Sequence, residues 1–177
     1  YYRGQIVAER VIEGRPAVYG TLDYSLPEPL QKALEKMGIT KLYSHQAEAI
    51  KLIEAGKNVV VVTSTASGKT LCYNIPVVKS ILEDPTTKAL YIFPTKALAQ
   101  DQLKGLTRLQ ELLPDALLRA GTYDGDTPSN TRRLLRDEGN CILTNPDMLH
   151  GAILPNHASW GRFFSKLKYV VIDEIHT

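Results

Sequence analysis

The chain has 177 residues, 44% hydrophobic and 23% charged, ordinary proportions for a globular domain with one sizeable core. A formal net charge of +2 is too small to argue for nucleic acid by itself, so any such surface must be a local patch. Cys72 and Cys141 lie far apart with no CxxC spacing, which suggests neither a disulfide framework nor a zinc site, and no apolar run approaches the ~20 residues of a membrane span. No signal peptide is visible, so the expected location is the cytoplasm, or the nucleus in a eukaryote.

In chain order, residues 1–24 read as an N-terminal extension. Short strands over 5–12 and 17–22 flank a Glu13-Gly14-Arg15-Pro16 turn. Residues 25–177 read as one domain. Pro27 at a first helical turn, then Leu30, Leu34 and Met37, then Gly38, is the pattern of a capped amphipathic helix. Residues 44–55 give a second helix, ended by Gly56. Beyond it the pattern alternates. Strands are expected over 58–63, 88–93, 116–122, 140–144 and 168–173, and helices over 69–82, 95–113, 128–138, 146–152 and 157–166. Strands that are apolar throughout, separated by helices, imply an α/β fold whose mostly parallel sheet carries helices on both faces. Pro76 stands inside a helix whose apolar face is Leu71, Ile75, Val78 and Leu82, and should bend it.

Two motifs carry chemistry. The run Asn58-Val59-Val60-Val61-Val62 leads into Thr63-Ser64-Thr65-Ala66-Ser67-Gly68-Lys69-Thr70. A strand, a small-residue loop and Gly-Lys-Thr opening a helix is a phosphate loop. Backbone N–H groups of such a loop point at phosphate. Gly68 permits close approach, Lys69 supplies a point charge and Thr70 a hydroxyl for magnesium. The strict GxxxxGK[ST] pattern is not met, because Thr63 and Ala66 stand where glycines are usual.

The second motif, Asp173-Glu174-Ile175-His176, follows Tyr169-Val170-Val171-Ile172. Adjacent carboxylates at the carboxyl end of a parallel strand can divide the work. One orients hydrated magnesium and the next polarises the attacking water.

Together these strings resemble the first RecA-like domain of superfamily 2 helicases, over roughly residues 27–177. Thr65 to Thr70 looks like helicase motif I, and Asp173 to His176 like motif II in its DExH form. The resemblance implies ATP and Mg2+ as ligands, with Lys69, Asp173 and Glu174 catalytic. Thr65, Ala66, Ser67, Gly68, Lys69 and Thr70 would bind the phosphates, and Thr70 and Asp173 the metal. His176 would couple the nucleotide site to the nucleic-acid track. Leu42-Tyr43-Ser44-His45-Gln46 is similar to the adenine-reading segment, which puts Gln46 on the base edge with Tyr43 beside it. The plainer reading is a helix N-terminus capped by Ser44.

Phe93-Pro94-Thr95-Lys96-Ala97-Leu98-Ala99-Gln100-Asp101-Gln102 resembles motif Ia, Tyr123-Asp124-Gly125-Asp126-Thr127 lies where the family has its strand-grip loop, and Leu143-Thr144-Asn145-Pro146-Asp147 resembles motif Ib. The resemblance therefore assigns Pro94, Thr95, Lys96, Gly125, Thr144 and Asn145 to a single-stranded or partly duplex DNA backbone, with RNA as the alternative track. The wording looks closest to the MrfA-type and RecQ-like DNA repair helicases. That branch implies ATP-dependent 3′-to-5′ movement on DNA. The rival of another class is a nucleotide-dependent scaffold module. The intact Lys69, Asp173 and Glu174 argue against it.

The chain stops one residue after the acidic motif. The expectation is a fold truncated after the acidic-motif strand, part of a longer helicase with a second RecA-like domain. In the family the next strand sits between the phosphate-loop strand and the acidic-motif strand. Without it, the middle of the sheet lacks a strand.

Overall fold

The computed structural model describes residues 16–63, 67–114 and 117–174. The strand expected over 5–12, together with Thr65, Ala66 and His176, lies outside the described residues. Of the strand expected over 17–22, only β1 (Tyr19–Gly20) forms, antiparallel to β2 (Leu42–Tyr43). Between them runs α1 (Glu28–Lys36), opened by Pro27 and closed by Gly38 at φ +80°. α2 (Ser44–Glu54) follows β2 directly. Its N-cap is Tyr43, not Ser44. The Gln46 side chain reaches back to the Tyr43 N–H at 2.9 Å, so the polar cap comes from inside the first turn.

The central sheet holds β3 (Lys88–Ile92), β4 (Ala120–Thr122), β5 (Cys141–Thr144) and β6 (Leu167–Ile172), in the order β4-β5-β3-β6. All three pairings are parallel. α3 (Thr70–Glu83) leads into β3, and α4 (Lys96–Leu112) and α5 (Ser129–Glu138) run between the strands that follow. Alternate side chains serve opposite faces, as the period of two requires. Ala89, Tyr91 and Phe93 enter a core with Leu30, Ile50, Ile75, Val78 and Leu106 from α1 to α4. Leu90 and Ile142 enter a second core with Ile153, Trp160 and Phe163.

That second core explains why two expected helices are irregular. Residues 146–152 become α6 (Pro146–Met148) and a wide π turn over Leu149–Ile153, which buries Ile153. Residues 157–166 become a tight 3-10 turn over His157–Trp160 and α7 (Gly161–Phe164). Trp160 and Phe163 meet edge to face at 5.4 Å, the contact a three-residue turn favours. Each such buried side chain contributes about 1.5–3 kcal/mol of transfer free energy, enough to override helix propensity over one turn.

One expected strand does not form. Residues 58–63 enter no ladder, and β6 pairs only with β3. A strand exists only through a partner's backbone, and none of the described residues supplies one here. Val60 and Val62 are accordingly 86% and 88% exposed. Val170 and Ile172, on the second face of β6, are about half exposed, so that face is covered over β3 and β5 but not over β6.

Candidate functional site

Because the sheet is parallel, the carboxyl ends of its strands open on one side. β6 delivers Asp173 and Glu174 there, β3 delivers Pro94 to Lys96, β4 delivers residues 123–127, and β5 delivers Asn145. This is where open parallel sheets bind ligands. Backbone bonds hold the ends together: Asp173 N donates to Ile92 O at 3.1 Å, Phe93 N to Thr144 O at 2.9 Å, and Tyr123 N to Leu143 O at 2.7 Å.

Gly68, Lys69 and Thr70 sit at the N-terminus of the 14-residue α3, where the helix dipole and first-turn N–H groups favour an anion. Gly68 adopts φ +76°, and a Cβ there would meet Gln46 Nε2 at 2.6 Å. The positive φ favours glycine, and a Cβ would displace the Gln46 amide from Gly68 O. The Lys69 ammonium donates to Thr63 O at 3.2 Å, so it already lies over the loop. The Thr63 and Ser67 hydroxyls are 2.6 Å apart, and His45 Nε2 lies 3.1 Å from Ser67 O.

The base-reading segment is tied to the same loop. Gln46 is 1% exposed, and its Nε2 donates to Gly68 O at 2.9 Å while its Oε1 takes the Tyr43 N–H. One amide hydrogen and one lone pair remain for a ligand. Tyr43 is stacked on Tyr19 at 5.6 Å and on His45 at 5.8 Å, an aromatic group partly open to solvent. Beside it opens a cavity of about 720 Å³ lined by Tyr19, Leu22, Tyr24, Leu34, Ile39 and Leu42 among others. Among the described residues, none of the phosphate loop lines this cavity.

The acidic pair is held by named bonds. Asp173 Oδ1 accepts the Glu174 N–H at 2.9 Å, and Asp173 Oδ2 accepts the Tyr73 hydroxyl at 3.0 Å. Thr70, one turn earlier on α3, donates to Gln102 Oε1 at 3.3 Å. Burial raises the Tyr73 phenol above its ordinary range, with smaller effects from Thr70 and Asp173, so it stays a neutral donor. Glu174 is the one non-glycine described residue with positive φ, at +54°. Such strain costs on the order of 1–3 kcal/mol and gathers at functional sites.

The residues fit a magnesium ion held through substrate. Thr70 opens α3, and Tyr73 one turn later bonds Asp173, so that the helix and the strand end offer one hydroxyl and one carboxylate. Among the described residues no group of three or more His, Cys, Asp or Glu could hold a metal. Magnesium commonly binds through one or two carboxylates, with phosphates and water completing its octahedron.

The outer loops are only partly as expected. Thr95 caps α4, its hydroxyl accepting the Leu98 N–H at 3.2 Å. Lys96 is exposed and paired with Asp126 at 2.7 Å, a bond that raises its ammonium pKa. Gly125 is exposed, and a Cβ there would come no nearer than 3.6 Å to Lys96 Nζ. Asp124 is buried and organises the turn, accepting from Asp126 N at 2.9 Å and Thr127 N at 3.0 Å. Thr144 is a correction. It is 1% exposed and donates to Tyr123 O at 2.8 Å, so its hydroxyl ties two strand ends together and presents nothing to a nucleic acid. Asn145 is also largely buried, and its Oδ1 caps α6 through Met148 N at 2.9 Å. That leaves Asn145 its amide hydrogens for a phosphate.

Sequence reasoning missed Tyr73 and Tyr19, and it quoted Gln102 and Asp126 within motifs without giving either a role. Only Tyr73 carried a signal, standing three residues after Thr70 and so on the same helix face.

A family model described as DEAD/DEAH box helicase matches residues 43–177. An uncharacterised ATP-dependent helicase of Bacillus subtilis, YprA, is 50% identical over 94% of this chain and 22% of its own length. The ATP-dependent helicase hrq1 of Schizosaccharomyces pombe is 47% identical over 99% of this chain and 17% of its own length. The crystal structure of the DUF1998 helicase MrfA bound to DNA and AMPPNP superposes with a TM-score of 0.89 at 49% identity, covering 93% of this chain and 23% of that one. The chain thus spans about a fifth of the length of these relatives.

Proposed function

From the premise that this chain belongs to the DEAD/DEAH box helicase family, as a first RecA-like domain, we propose that it is the ATP-binding motor domain of an ATP-dependent DNA helicase acting in repair. The observation that carries the reading is that α3, opened by Thr70, is tied through Tyr73 to Asp173 at the carboxyl end of a parallel strand, in a chain nearly half identical to MrfA, which was crystallised with DNA and AMPPNP. Magnesium bound there would neutralise charge on the outer phosphates.

The chain's own residues perform the rest. Gly68 and the α3 N-terminus present N–H groups to the phosphates, and Lys69 adds its charge. Thr70 and Asp173 would hold the metal. Glu174 accepts a proton from the attacking water. Gln46 offers its remaining donor and acceptor to the adenine edge, with Tyr43 beside it. A second RecA-like domain supplies the groups this domain lacks.

Pro94, Thr95, Lys96, Gly125 and Asn145 are proposed to follow one DNA strand by its backbone, His176 to couple that track to the nucleotide site, and movement to run 3′ to 5′. Strand displacement from 3′-tailed but not 5′-tailed duplexes tests the direction; the reverse preference contradicts it. For the track itself, Lys96→Ala should weaken binding of mixed-sequence single-stranded DNA evenly and flatten the log–log salt dependence by about one ion. Asp126→Asn should strengthen binding, because Lys96 loses the carboxylate that competes with phosphate. An unchanged salt slope in Lys96→Ala would remove Lys96 from the contact.

A further inference from the structure

We propose that Tyr73 is a positioning residue that fixes the spacing of Thr70 and Asp173, and so sets how tightly magnesium is held with the nucleotide. The proposal rests on the ATP-site reading above.

α3 places Tyr73 one turn after Thr70 and on the same face. Its hydroxyl reaches Asp173 Oδ2 at 3.0 Å across 100 residues of sequence. A single side chain of α3, the helix that Thr70 opens, is therefore tied to the acidic strand end. The ring is itself clamped. It meets Tyr91 edge to face at 5.8 Å, and the buried Tyr91 is fixed through its hydroxyl, which donates to Asn74 Oδ1 at 3.0 Å. A neutral donor orients the Asp173 carboxylate without cancelling its charge, as a lysine or arginine would. Asp173 Oδ1 is turned toward the Glu174 N–H, so Tyr73 and Glu174 together determine the carboxylate plane. Without the bridge, the two groups must be drawn together at the moment of metal binding, at an ordering cost.

Phenylalanine keeps the ring packing and removes the bridge. In the full-length protein, Tyr73→Phe and Asp173→Asn are compared with wild type. The readouts are the magnesium dependence of fluorescent ADP release, binding of the same nucleotide in EDTA, KM and kcat for ATP, and the ligand-free unfolding midpoint. Tyr73→Phe should raise the half-saturating magnesium concentration about tenfold or more, the scale of one hydrogen bond to a charged group. Nucleotide binding in EDTA and the unfolding midpoint should stay near wild type. An unchanged magnesium requirement in Tyr73→Phe, with a raised one in Asp173→Asn, overturns the proposal alone. A lowered midpoint with an unchanged magnesium requirement makes Tyr73 a packing residue only. An unchanged requirement in Asp173→Asn overturns the ATP-site reading itself.

Discussion

Replacing Glu174 by Gln is expected to slow ATP turnover by about 100- to 10,000-fold, while ATP binding stays close to wild type. Glutamine keeps the shape of the side chain but cannot take the proton of an attacking water. The backbone supports this assignment. Glu174 lies just past β6 in a left-handed conformation, φ +54°, and its N–H is bonded to Asp173 Oδ1 at 2.9 Å. A strained non-glycine residue held by a hydrogen bond is aimed by its surroundings, and the strain is the observation from which a role is inferred. The check is steady-state turnover beside equilibrium binding of a fluorescent ATP analogue. Turnover equal to wild type removes Glu174 from the general-base role. Loss of binding and turnover together would make it a binding residue.

The second large effect is expected at Lys69. Lys69→Ala should weaken ATP binding by about 10- to 150-fold, the range of 1.5–3 kcal/mol for a charge-assisted hydrogen bond. Turnover should fall by a further ~100- to 1,000-fold, because the ammonium meets charge that develops on the transferred phosphoryl group. The lysine is already placed: its ammonium bonds to Thr63 O at 3.2 Å, so it folds back over the loop it serves. Isothermal titration with a non-hydrolysable ATP analogue, beside turnover at saturating ATP, separates the two effects. Wild-type values in both would take Lys69 out of the phosphate site.

These two residues were legible in the sequence because their neighbours declare them. Lys69 stands between Gly68 and a helix start, and Glu174 follows an apolar strand. β3, β5 and β6 were equally legible, since buried parallel strands are apolar throughout and their ends differ from expectation by one residue. The segment over 58–63 looked the same in sequence and forms no strand, because a strand is defined by its partner and not by its own side chains.

Thr144 shows the opposite failure. A threonine before Asn-Pro reads as a loop hydroxyl, yet a β5 paired on both edges buries it. The bridge from Tyr73 to Asp173 and the pair of Lys96 with Asp126 span 100 and 30 residues, so no local pattern announces them. The irregular turns over residues 149–160 followed from where Ile153 and Trp160 had to be buried, which helix periodicity does not encode.

The central claim is that this domain drives movement on DNA with the energy of ATP. Its most direct test is steady-state ATP hydrolysis by the full-length protein without nucleic acid, with single-stranded DNA and with single-stranded RNA. Stimulation by DNA and not by RNA is the predicted result. Stimulation by RNA alone would contradict the DNA assignment and leave the phosphate chemistry standing. ATP bound but not hydrolysed under any of the three conditions would contradict the motor reading and favour a nucleotide-dependent scaffold.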